Sequence, residues 1–134
     1  GMERKREASR CRQRIANCLV ELGQLANVTQ GWSPLVRGSL YSYRRRCGKR
    51  ECRCLQGELH VGQAFSVSEG GRSRVVSTAG LDRAEVASCV RAHREFRRAR
   101  SSMVRTFREL LGAVDRMARL REVGLEGLRR RPQR

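Results

Sequence analysis

Apolar residues near the start of the chain fall at Ala8, Cys11, Ile15, Cys18, Leu22 and Leu25, in alternating steps of three and four. Arg4, Lys5, Arg6, Arg10, Arg12 and Arg14 lie off that stripe. This rhythm predicts an amphipathic helix over residues 3–26. Thr29, Gly31, Ser33 and Pro34 then punctuate the chain, because the residue before a proline is pushed out of the helical region. Residues 38–79 change period. Short alternating runs predict strands at 39–46, 63–68 and 72–78, with Glu69-Gly70-Gly71 supplying the positive-φ residues of a tight hairpin. After Gly80, Asp82 is an N-cap for a long helical segment over 82–122.

In that segment Val86, Val90, His93, Phe96, Met103, Phe107, Leu110, Val114 and Met117 approach a heptad seam, interrupted at Arg100. Unbroken, it would run about 60 Å at 1.5 Å per residue. Ser101-Ser102 could instead cap a second helix and fold the segment back on itself. Residues 123–134, with Gly124, Gly127 and a terminal arginine run, read as a frayed basic tail. The expected fold is therefore α+β and mainly α, a single domain over 1–134. It comprises an N-terminal amphipathic helix, a small zinc-knuckle sheet and a long C-terminal helix. Each helix has one apolar stripe to bury, so the two can pair with the sheet at one end. The longer helix would then expose its seam from Met103 to Met117, from which we expect a homodimer. A hairpin at Ser101 would bury the same seam internally.

Composition sharpens this picture. Hydrophobic residues make up 39% and aromatics 4%, so the core is thin and better suited to paired helices than to a thick globule. Thirty Lys and Arg face 13 Asp and Glu, giving a formal net charge of +17. A field of that size recruits polyanions, nucleic acid first among them. No apolar run approaches the roughly 18 to 20 residues of a membrane span, and the N-terminal segment lacks a signal-like apolar stretch, so a cytoplasmic protein with reduced thiols is expected.

The dense chemistry lies in Cys47-Gly48-Lys49-Arg50-Glu51-Cys52-Arg53-Cys54, followed by His60. Cys47, Cys52, Cys54 and His60 supply the three thiolates and one imidazole that a tetrahedral structural Zn²⁺ takes, and Gly48 and Gly57 can make the turns that wrap a short loop around an ion. Three thiolates and a neutral imidazole leave the site one negative charge, which the surrounding Arg and Lys stabilise. Two other readings stand beside this one: cysteines as small buried hydrophobes, or a redox-active Cys52-Arg53-Cys54 pair. Cys11, Cys18 and Cys89 sit on or beside helical stripes and read as core.

The stretch from Arg44 to His60, R-x-x-C-G-K-x-x-C-x-C-x-x-G-x-x-H, resembles the signature of a bacterial and archaeal family of small proteins carrying a domain of unknown function, often encoded near transposases. The resemblance extends more weakly from Pro34 to Glu122. Similar members follow the His with Gly-Pro and an aromatic, whereas here Val61-Gly62-Gln63 follows. The resemblance implies the zinc site and a mobile-DNA setting, but no assigned activity.

No phosphate-binding glycine loop and no Ser/His/Asp set exists, since the chain has two His and two Asp, and the carboxylates on the helices more simply pair with Arg. A non-enzyme is expected. The favoured reading is a nucleic-acid-binding protein that contacts phosphates through Arg44, Arg45, Arg46, Lys49, Arg50 and Arg53 around the cysteines, Arg72 and Arg74 on the hairpin, and Arg91, Arg94, Arg98 and Arg105 on the long helix. Only Tyr41, Tyr43 and Phe65 lie near the loop to stack unpaired bases, so duplex DNA is favoured. The alternative is a zinc-clipped helical adaptor that docks a transposase, a recombinase or another acidic partner.

Overall fold

The computed structural model describes residues 1–130. It is α+β and mainly α. The elements in order are helix α1 (Met2–Thr29), strands β1 (Gly38–Arg45), β2 (His60–Glu69) and β3 (Arg72–Ser77), and helix α2 (Arg83–Arg121), with single 3₁₀ turns at Arg53–Gln56 and Leu125–Leu128. The chain divides into two compact units: Gly1–Gln30 with the residues from Ala99 onward, and Gly31–Arg98. Helix α2 is continuous, so Ser101-Ser102 does not break it. Of the basic tail expected over 123–134, Leu125–Leu128 forms a 3₁₀ turn, and the last four residues lie outside the described ones.

In the helical unit every position of the α1 stripe is at least half-buried, with Cys18 fully so. The register is antiparallel. Arg116 donates to Glu7 near one end, while Leu22 and Ala26 share a groove with Met103 and Phe107 near the other. The seam of α2 that meets α1 runs Ala99, Met103, Thr106, Leu110, Ala113, Met117 and Leu120, steps of four and three in which Ala99, Thr106 and Ala113 are the buried members. This corrects the expectation that the seam from Met103 to Met117 is left uncovered, because α1 lies along that half of α2. What stays exposed is a neighbouring ridge of Val104, Phe107, Leu111 and Val114. Sequence reading merged the two because large side chains on the ridge outweigh alanines in any hydropathy pattern.

The second unit is built on a three-stranded antiparallel sheet ordered β1-β2-β3. Gly70 and Gly71, with φ of 57° and 79°, form a two-residue turn between the paired Glu69 and Arg72. Both positive values match the primed turn that suits strand twist. Alternation sends Phe65 and Val67 to one face, where they bury against Val90 with Val36, Val76 and Val86 around them. Asp82 caps α2 as expected, its Oδ1 accepting the Glu85 N–H at 3.2 Å.

Strand β2 starts at His60, three residues earlier than the alternation suggested, and pairs with β1 from Arg45↔His60 to Gly38↔Val67. Gly62 looks like a breaker in sequence. In the structure it sits opposite Tyr43, and a β-carbon there would fall 2.4 Å from that ring. The aromatic ring fills the space that glycine leaves, so the ladder continues through it.

Candidate metal centre and nucleic-acid interface

Because Arg45 pairs with His60, the cysteine loop is held at both ends by the β1–β2 ladder. Within it, Gly48 (φ 82°) and Gly57 (φ 104°) take left-handed conformations that reverse the chain on either side of Cys52 and Cys54. The Cys52 N–H reaches the Lys49 carbonyl at 3.5 Å and the Leu55 N–H donates to the Cys52 carbonyl at 3.1 Å. These turns converge four side chains. Cys47 and Cys54 Sγ atoms are 3.7 Å apart, Cys52 Sγ and His60 Nε2 are 2.9 Å apart, and all four donor atoms lie within 4.8 Å of one another.

The donor set fits a single tetrahedral ion. With metal–sulfur bonds of about 2.3 Å, the sulfur–sulfur edge of a tetrahedron is roughly 3.8 Å. The Cys47–Cys54 pair has that spacing and the Cys52–His60 pair is closer. Cys54 is fully buried and Cys52 half-buried, while Cys47 and His60 face solvent. The cluster could therefore hold a metal ion. The Lys49 backbone N–H, then the Cys52 thiol, bring the Cys47 thiol down from its ordinary value to about 7. The Cys54 backbone N–H acts to lower Cys52 as well, but its hydrogen bond toward Cys47, burial and the neighbouring thiols outweigh this and raise it. One thiol is thus ready to ionise and the next is held back, as expected where thiolates crowd together. Cys11, Cys18 and Cys89 lie apart from the cluster, on helices, with Cys18 buried in the α1–α2 seam.

Arg44, Arg45, Arg46, Lys49, Arg50, Arg53, Arg72, Arg74, Arg91, Arg94, Arg98 and Arg105 are all exposed. Among the described residues none of the six cations from Arg44 to Arg53 forms an ion pair, although Glu51 lies within the run. Arg74 does, with Glu69 at 3.0 Å, and Arg105 donates to Ser102 at 2.9 Å. Arg91, Arg94 and Arg98 share one stripe of α2 by their spacing and belong to the unit that carries the four clustered donors; Arg105 belongs to the helical unit. Arg46 lies beyond the end of β1, so strand alternation separates only Arg44 from Arg45.

Of the three aromatic candidates for base stacking, Phe65 is buried in the core and drops out. Tyr41 and Tyr43 share the opposite sheet face, with ring centroids 6.3 Å apart, and the Arg45 guanidinium lies 5.3 Å from the centre of the Tyr43 ring. The spacing Tyr41-x-Tyr43-x-Arg45 carried this signal in the sequence, but only the pairing with Gly62 shows the rings belong to one surface. No helix of the described residues is long and apolar enough to cross a membrane. Comparison with protein-family models, with curated proteins and with solved structures gave no match.

Proposed function

We propose that Cys47, Cys52, Cys54 and His60 hold one structural Zn²⁺, and that the loop so fixed grips the phosphate backbone of DNA, duplex included. The observation that carries this reading is the concentration of exposed cations beside and within the loop: Arg44, Arg45, Arg46, Lys49, Arg50 and Arg53 flank the four donors along the chain and, among the described residues, form no ion pair. The ion supplies rigidity and no reaction. Its thiolates are partly neutralised by the same arginines, whose outward guanidinium edges remain free for phosphate oxygens. The overall charge of +17 adds long-range attraction. The resemblance of Arg44 to His60 to proteins encoded beside transposases supports a role with mobile DNA, in which the chain binds and a partner supplies any catalysis.

Purified protein should carry about one equivalent of zinc. For six phosphate contacts, log K should fall against log salt with a slope of about −5. Replacing Arg44, Arg45 and Arg46 together by Ala should flatten that slope by about two to three units. Binding that is absent at 50 mM salt, or equal at 50 and 300 mM, would overturn the nucleic-acid reading.

A second reading is favoured by one feature of the helical unit. Its apolar groove of about 840 Å³ runs between Leu22 and Ala26 on one side and Met103, Phe107 and Leu111 on the other. A homodimer through this surface of α2, or docking of a transposase or recombinase segment there, would cover it. That would make the metal unit a clip on an adaptor, with affinity insensitive to salt.

A further inference from the structure

Each face of the sheet has a different fate. One face carries Phe65, Val67 and Val76 into the core. The other, by register, presents Tyr41, Tyr43 and Arg45 from β1, Gly62, Ala64 and Ser66 from β2, and Ser73, Val75 and Ser77 from β3. This second face is open along its outer strands, with Val75 65% exposed and Tyr41 36%, while Ala64 in its middle is buried and Tyr43 half-buried. It carries no carboxylate. Beside the two aromatic rings its floor is made of small side chains; the half-buried Tyr43 ring is covered by the Arg45 guanidinium, and the Tyr41 ring is the more exposed of the two.

The rings are held in place. Tyr43 lies so close to Gly62 that any β-carbon would collide with it, and its position is supported by the Arg45 guanidinium. Tyr41 is tilted by 54° to Tyr43, with its own face available. Arg45 pairs with His60, so the aromatic face leads to the four clustered donors, with Arg46, Lys49, Arg50 and Arg53 on the same loop. An apolar planar surface edged by positive charge and free of negative charge is complementary to a base attached to a phosphate. An acidic peptide matches the positive charge less fully, since its carboxylates are not extended ring systems to lay on the rings.

We propose that this sheet face is a stacking platform for unpaired nucleobases of a single-stranded nucleic acid, with Tyr41 taking one base and the Arg45–Tyr43 stack the next, while the phosphates between them meet the loop arginines. This rests on the nucleic-acid reading above and departs from the duplex preference drawn from the scarcity of aromatics, because Tyr41 and Tyr43 share one face; bases in a duplex have no free face to offer. Aromatic stacking is sequence-tolerant, since every base has a π-face, so the platform selects unpaired segments and not a sequence.

The test uses the full-length, metal-loaded protein and three probes of equal length: single-stranded oligo(dT), a strand with the same backbone but abasic sites, and a duplex. At about 1–3 kcal/mol per stacked base, roughly 5- to 150-fold in affinity each, two stacked bases should make oligo(dT) bind at least about 25-fold tighter than the abasic strand. Tyr41→Ala should lose one of those two steps, at least about fivefold, without changing affinity for the abasic strand or the salt slope, and Tyr41→Phe should preserve both. A strand carrying 2-aminopurine should lose fluorescence on binding the wild-type protein, a readout that does not depend on any variant folding. Equal affinity for oligo(dT) and the abasic strand, with unquenched 2-aminopurine, would overturn the platform while leaving phosphate binding intact. Failure to bind all three would overturn the nucleic-acid reading as well.

Discussion

If the Cys47–His60 loop holds the proposed ion, the cost of removing it can be worked from the structure. Roughly fourteen residues separate β1 from β2, and the only regular structure among them is the single turn Arg53–Gln56. Their apolar burial is slight: Cys54 is enclosed, while Leu55 and Leu59 are 49% and 38% exposed. Fixing each backbone costs about 1–2 kcal/mol, so ordering the loop requires about 14–28 kcal/mol. Structural Zn²⁺ at pH 7 contributes about 10–16 kcal/mol in small domains, which offsets the lower end of that cost. Chelation of the protein, or Cys54→Ser, should therefore release the loop. Amide exchange measured by mass spectrometry should rise by orders of magnitude across residues 46–60 and to a lesser degree along β1 and β2. Exchange in α1 and the second half of α2, which belong to the other compact unit, should hold. Cys18→Ser is the control, since Cys18 is equally buried but contributes no donor to the cluster. It should keep its metal and lose on the order of 1 kcal/mol of helical stability. Unchanged exchange over 46–60 after verified metal removal would refute the argument, for it would mean the loop orders itself by contacts the structure does not contain.

Two further outcomes follow from particular side chains. Burial, and then the charges of Arg37 and Arg97, push the His93 imidazole below its ordinary value; the unfolded chain therefore takes up that proton first, and stability should fall as pH drops below about 6.5. His93→Gln should flatten the melting temperature between pH 7 and 5 relative to wild type, and parallel curves for the two proteins would remove His93 from the account. If the ridge of Val104, Phe107, Leu111 and Val114 closes on a second copy, Phe107→Asp should convert a dimer to a monomer, because a carboxylate in a dry interface goes unpaired at a cost of several kcal/mol. A wild-type sedimentation mass of 15.3 kDa at high concentration would end the idea.

Where one periodic signal dominated, the sequence could be read almost residue by residue. The three-four rhythm from Ala8 to Leu25 is the buried stripe of α1, and Glu69-Gly70-Gly71 is the hairpin turn, because a pair of positive-φ residues admits few alternatives. The four donors were legible from their type and spacing alone. The α2 seam was harder for a physical reason: Ala99, Thr106 and Ala113 bury little area each, so the larger exposed neighbours Phe107 and Val114 masked them. Phe65 was misjudged as a stacking candidate since strand alternation gives two faces without saying which is the inside; Val86 and Val90, far along the chain, decide that.

That same ambiguity explains why the sheet is the informative part of the molecule. A three-stranded sheet with one helix partner can bury only one face, and here the hydrophobic positions Phe65, Val67 and Val76 all fall on it. The other face is less covered, although Ala64 on it is buried, and a sheet surface shaped for solubility alone carries more charge. Instead it carries two tyrosines, one arginine, a glycine that makes room for one of the rings, and a row of small residues, with the donor cluster at its end. Tyr43 and Gly62 are a matched pair: a side chain at 62 displaces the ring, and a smaller residue at 43 leaves a gap over the glycine. Packing the ring over the glycine stabilises that cross-strand pair. It also fixes the ring's height above the strand, beside the cysteine loop, as the proposed stacking requires.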